Sequence, residues 1–146
     1  MRKRRKKMKS SEQLNLAKDD FETRVKKITE NLYYISETDA EILPFVGKKA
    51  KTTDAKELLN QIECATAPVE EKDFNGFFAR LTEIQDWFGD EEKATATKFS
   101  DLKKLLEENL KNIKVFKVGS VQLDLYVVGL NAQSNLAGIK TKAVET

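Results

Sequence analysis

The chain has 146 residues, of which 40% are hydrophobic and 34% charged. That length suits one domain and buries about 68–70% of the unfolded surface, enough for a real core. It contains no histidine and one cysteine, which excludes Ser-His-Asp and Cys-His catalysis, histidine-ligated metals and an internal disulfide. No apolar run approaches the roughly 20 residues that span a membrane, and the charged start lacks the apolar core of a secretory signal. A cytoplasmic location with no membrane partner is expected.

Seven of the first nine residues are basic: Arg2, Lys3, Arg4, Arg5, Lys6, Lys7 and Lys9. Residues 10–146 carry 19 basic and 24 acidic groups, a net of −5 beneath the formal +2 of the whole chain. A like-charge block of this kind repels itself, so residues 1–12 are expected to form a disordered tail and residues 13–146 a single domain. The functional reading of the tail is a nucleic-acid or membrane-surface contact. Its plainer reading is a solvated tail, or residues ahead of a start at Met8. The plainer reading is preferred, because the cluster contains no aromatic residue. The acidic body should repel nucleic acid and attract a basic protein surface, so no direct nucleic-acid binding is expected beyond a weak contact by the tail.

Phe21, Val25, Ile28, Leu32 and Ile35 recur at spacings of three and four, which predicts an amphipathic helix from Leu16 to Tyr34. Ser36-Glu37-Thr38-Asp39 reads as a loop of turn-forming residues. Ile42 to Val46, interrupted by Pro44, predicts a strand in which the proline marks either an edge or the strand's start, and which Gly47 ends. Asp54 can cap a second helix through Leu58, Leu59 and Ile62, with Cys64 as a small core residue on its apolar face. Thr66-Ala67-Pro68 reads as loop and is followed by the polar Glu70-Glu71-Lys72, whose glutamates read as a solvated helix end rather than as metal ligands. Asp73 precedes Phe74, Phe77, Phe78 and Leu81, a third helical set. These phenylalanines read as core rather than as a platform for bases.

Gly89-Asp90 opens the strongest helix. Asp90, Glu91 and Glu92 lie where the helix dipole favours negative charge. Ala94, Phe99, Leu102, Leu105, Leu106, Leu110 and Ile113 form its apolar side. The period then becomes alternating. Val115 and Val118 lead to a hairpin turn at Gly119-Ser120. Val121, Leu123, Leu125 and Val127 form the buried face of one strand. Gly129 to Asn135 reads as a turn. Leu136 to Val144 reads as a third strand, with Ile139, Thr141 and Ala143 on one side and Lys140 and Lys142 on the other. Helices followed by an antiparallel meander give an α+β class. A three-layer α/β/α sandwich with a mainly antiparallel sheet would cover both sheet faces.

No spacing singles out a catalytic carboxylate pair, a phosphate-binding loop or a calcium loop. A binding protein without cofactor or metal, rather than an enzyme, is expected. The C-terminal half resembles the nuclease A inhibitor family, small proteins that inhibit sugar-non-specific DNA/RNA endonucleases of the ββα-metal type. The resemblance is carried by Asp73-Phe74 through Phe77-Phe78, by Gln85-Asp86-Trp87-Phe88 with Asp90-Glu91-Glu92, and by Lys98-Phe99 and Asn109-Leu110-Lys111-Asn112. It continues through Val121–Gly129, Asn135–Ile139 and Thr141–Thr146. Ser36-Glu37, before Pro44-Phe45, resembles the family's Ser-Glu loop. Residues 47–72 do not contribute, and the basic tail is not a family feature.

The resemblance implies an α/β/α sandwich and inhibition by plugging the nuclease active site. It implies that Glu37 reaches the nuclease's Mg²⁺ with Thr146 at the same place, and that Asp86 and Trp87 form a loop contacting the enzyme. Taken alone, Glu37 would be an ordinary loop carboxylate, Trp87 a partly buried core residue and Thr146 a frayed end. The expected partner is therefore a ββα-metal endonuclease, bound by a monomer. The alternatives are a protein-binding module of the same fold with another partner, such as a toxin or regulatory factor, and nucleic-acid binding through Arg2–Lys9.

Overall fold

The computed structural model describes residues 21–145. The basic cluster, the boundary expected near residue 12, the start of the first helix and Thr146 lie outside the described residues. The first helix, α1, is helical over residues 21–29. It stops well before Tyr34, because Asn31 adopts a left-handed φ of 59°, a common way to end a helix. Lys98 Nζ donates to the Glu30 carbonyl at 3.1 Å, placing a cation at the helix end where the dipole favours it. The chain then becomes extended. β1 (Tyr33–Ile35) pairs with β2 (Asp39–Glu41) as a two-stranded antiparallel ribbon. Ile35, expected on the helical stripe, is an exposed strand residue. Tyr34 turns inward instead and stacks on Phe77 at 5.8 Å between ring centroids.

β3 (Leu43–Lys49) forms one edge of the main sheet, one of the two positions that Pro44 allows. Gly47 does not end it; the strand runs on through an irregular register between Val46 and Lys49. The next helix, α2 (Ala55–Gln61), makes this possible. Its Gln61 side chain accepts from the Lys48 amide at 2.7 Å and donates to the Lys48 carbonyl at 3.1 Å, satisfying backbone groups that the disrupted ladder leaves over. Asp54 caps α2 by accepting from the Glu57 amide at 2.9 Å. That bond is the chief cause holding the Asp54 carboxyl below its ordinary pKa. Cys64 lies beyond the helix and is exposed, so it is not the core residue that the apolar spacing suggests.

The polar stretch after Pro68, whose glutamates are expected at a helix end, instead forms β4 (Val69–Lys72), which pairs with Val115–Val118 at the other edge of the sheet. Every residue of β4 is exposed. Charged side chains on a short edge strand discourage pairing with other chains. Asp73 caps α3 (Phe74–Thr82) through the Gly76 amide at 2.8 Å. α4 (Asp90–Asn109) begins at Gly89, whose amide donates to the Glu92 carboxylate at 2.7 Å. Ala96, rather than Ala94, is buried on α4, together with Phe99, Leu102, Leu105 and Leu106.

β5 (Lys111–Gly119), β6 (Gln122–Leu130) and β7 (Asn135–Val144) form the meander. With the two edge strands they make an antiparallel five-stranded sheet in the order β3-β7-β6-β5-β4. The β5–β6 turn uses Gly119 at a φ of 115°, where a side chain would be strained. Val121 belongs to this turn and is exposed, outside the buried stripe expected to include it.

Successive strand residues point to opposite faces, and two apolar clusters follow that alternation. Val115, Val127, Ala137 and Ile139 pack with Val25, Phe78, Phe99, Leu102, Leu105 and Leu106 from α1, α3 and α4. Phe116, Val118, Tyr126, Val128 and Leu136 pack with Leu58 and Leu59 of α2. Each fully buried leucine contributes about 1.5–3 kcal/mol by removal from water. A small third cluster of Leu123, Leu125 and Ala143 meets Tyr34 and Phe77. This third cluster lies on the path to the candidate site.

Candidate functional site

The chain turns between β1 and β2 at residues 36–38, and the turn is closed by its own polar groups. The Ser36 amide donates to the Thr38 carbonyl at 2.9 Å. The Ser36 hydroxyl oxygen accepts from the Thr38 amide at 3.4 Å, the kind of side-chain turn that serine favours. A second set of bonds reaches across the fold. Ser36 Oγ accepts from the Val144 amide at 3.0 Å, and the Glu37 amide donates to the Val144 carbonyl at 3.3 Å. The exposed Glu37 is thereby tied to the end of β7, 107 positions later in the chain.

The end of β7 is fixed from its other side. The Glu145 amide donates to the Val121 carbonyl at 3.0 Å. The Glu145 carboxylate accepts from Lys117 Nζ at 2.8 and 3.0 Å. The Lys117 side chain is only 18% exposed against 43% for Glu145. Partial burial strengthens such a pair relative to a fully solvated one. Thr146 itself lies outside the described residues, but the residue before it is anchored in the sheet.

These groups border a cleft of about 810 Å³ between the β1–β2 turn, α3 and the β5–β7 end of the sheet. Glu37 and Glu145 share it with the cations Lys72, Arg80 and Lys117, and Tyr34 and Phe77 lie along its wall. The Tyr34 phenol is pushed above its ordinary pKa, first by burial and then by the negative charge of Glu145, with Arg80 acting in the opposite direction. Asp73 also lines the cleft, but its carboxylate is engaged as the α3 cap.

Asp86 and Trp87 occupy the segment between α3 and α4 and are not among the described residues lining this cleft. Trp87 is 75% exposed, so it is not a core residue. Its ring meets Phe88 edge-on at 4.7 Å. Lys117 and Glu145 were not singled out by motif or spacing, because their pairing depends on sheet register. The one available signal is alternation: Lys117 interrupts an apolar strand at a position facing Leu125. Among the described residues no group of three or more histidine, cysteine, aspartate or glutamate side chains is arranged to hold a metal ion. None of the described helices is long and apolar enough to cross a membrane.

The arrangement presents carboxylates at a sheet end, fixed by long-range bonds, with a large exposed aromatic residue on a separate loop. No curated protein matches the chain. The NuiA family model, described as nuclease A inhibitor-like protein, matches residues 19–146. The match includes residues 47–72, which carry none of the motifs of the resemblance, and it begins beyond the basic tail. From residue 19 to its last residue, the chain belongs to the nuclease A inhibitor-like family.

Proposed function

We propose that this protein inhibits a Mg²⁺-dependent, sugar-non-specific nuclease by inserting Glu37 and the chain end into its active site. The protein acts by occupation and catalyses nothing. The carrying observation is the pair of bonds between Ser36–Glu37 and Val144, which brings a loop carboxylate beside the end of the last strand. A nuclease of this class holds a phosphodiester through Mg²⁺ and basic side chains. A carboxylate is a hard oxygen ligand that suits Mg²⁺ and can stand in for the scissile phosphate. Glu37 would take that position, and the terminal carboxylate at Thr146 would add a second anion with little bulk. Asp86 and Trp87 would make a separate contact on the enzyme surface, Trp87 as an aromatic anchor. The net −5 of residues 10–146 would attract a basic substrate cleft and speed association.

The test is titration of the protein into an assay of a ββα-metal nuclease with Mg²⁺ present, wild type beside Glu37→Ala and a form lacking Thr146. Stoichiometric inhibition by wild type, weakened in both variants, is the expected result. Failure to inhibit any such nuclease, including one from the same genome, would overturn the reading and leave a binding module with another protein partner.

A further inference from the structure

We infer that Ile35 and Val121 form an aliphatic rim on either side of the Glu37 turn and the end of β7, and that this surface fits a cationic hole bordered by apolar side chains. The inference rests on the proposed inhibitory function and names the chemistry of the partner surface. Ile35 is 70% exposed and Val121 50% exposed, although both are aliphatic. The backbone bonds place them. Ile35 immediately precedes the Ser36–Glu37 pair that binds Val144, and Val121 accepts from the Glu145 amide on the other side of the same strand end. Gln122 is paired with Val144, so Val121, in the turn just before that pair, sits across from Glu145. Val121 thus stands exposed in the turn, beyond Leu123, the first buried residue of β6. Ile35 lines the same cleft as Glu37, Lys117 and Glu145.

Apolar side chains beside an anion have a definite physical effect once a partner covers them. They exclude water from the rim, which lowers the local dielectric and strengthens the contact between carboxylate and cation. A partner offering only a flat basic surface would leave both aliphatic groups in water. A partner whose cationic centre is recessed behind apolar side chains would bury them.

The rim is tested with Ile35→Ser, Val121→Ser and the double variant, compared with wild type and Glu37→Ala for inhibition of a Mg²⁺-dependent ββα-metal nuclease. Both sites are exposed, so thermal unfolding should stay at the wild-type temperature. A control is Val46→Ser, an aliphatic residue 37% exposed on the far edge strand. Val46 pairs with Ala137, seven residues along β7 from Val144 and so roughly 23 Å away. Each rim variant should raise the dissociation rate about fivefold and the double variant about twentyfold or more, with steeper weakening by salt, while Val46→Ser stays within twofold. A double variant within twofold of wild type, or an equal loss in Val46→Ser, overturns the rim while a weakened Glu37→Ala leaves the inhibitory reading standing. If wild type inhibits no such nuclease, both fall together.

Discussion

The Ser36–Glu37 turn and the Asp86–Trp87 loop differ in what holds them. The first is fastened by bonds to Val144, and the strand end it meets is fastened in turn to Val121 and Lys117. The second is held by neighbours in sequence: the Phe88 amide donates to the Gln85 carbonyl at 3.0 Å, Trp87 leans on Phe88, and the Gly89 amide is bound by Glu92. Long-range ties fix a side chain's base relative to the whole sheet, which suits a group that must meet a small target. Local ties fix a loop's shape while leaving its indole largely in water, which suits a group that supplies contact area. In the proposed complex the turn would provide charge and placement, and the loop would provide buried surface.

The largest expected effect that separates the two comes from Glu37→Ala. Truncating one member of a desolvated, hydrogen-bonded charge pair costs about 2–5 kcal/mol, so inhibition should weaken about a hundredfold or more. Trp87→Ala follows. A central aromatic anchor is worth about 2 kcal/mol or more, so the complex should weaken about thirtyfold, mainly through faster dissociation. Because the ring is so exposed, the thermal midpoint should not move. Inhibition constants and dissociation rates measured side by side give the order. A greater loss in Trp87→Ala than in Glu37→Ala would break the division of roles.

Ser36→Ala sharpens the comparison, since it leaves Glu37 in place and removes only the fastening. Losing the acceptor for the Val144 amide should cost about 1 kcal/mol of stability. Inhibition should fall about fivefold, and the Val144 amide should exchange its hydrogen faster. Unchanged exchange at Val144 would show that the turn does not depend on this bond. No comparable long-range bond is described for the Trp87 loop, so no single substitution far along the chain should reproduce that coupling there.

The sequence was most informative where one periodicity dominated. α4 is read from Phe99, Leu102, Leu105 and Leu106, which share one buried face, and β6 and β7 from the alternation of Gln122–Leu125 and Lys140–Ala143, although nearer the sheet centre both strands are buried on two faces. The end of α1 was hidden because Leu32 and Ile35 continue a helical spacing by coincidence. The left-handed Asn31 redirects the chain, after which Leu32 is buried and Ile35 is exposed. β4 was hidden because an edge strand of Val69-Glu70-Glu71-Lys72 has neither alternation nor a buried face to signal it. The candidate site divides in the same way. The Ser36–Glu37 turn is legible from local turn chemistry and from the family resemblance. Its junction with Val144, and the Lys117–Glu145 pair, arise only from register across the folded sheet.

The smallest expected effect concerns protons, and it too belongs to the fastened side. Tyr34 stacks on Phe77 beneath the Glu37 turn, and burial followed by the Glu145 charge raises its phenol above the ordinary value of 10.0. A raised folded pKa means that the native state holds the proton longer than the unfolded chain does. The resulting stability is therefore fully present below about pH 10 and is lost as pH rises from there through the folded pKa. Tyr34→Phe removes the titrating group, so its urea midpoint should decline less between pH 9 and 11 than that of wild type. Some decline should remain, because Tyr126 is raised for the same first reason, burial, with Asp124 and Cys64 adding to it. Glu145→Gln removes the second cause at Tyr34 and should give an intermediate slope. Identical slopes for wild type and both variants would mean that the Glu145 charge does not reach the Tyr34 phenol, and that the end of β7 is less closely held over the cleft than its bonds to Ser36, Val121 and Lys117 require.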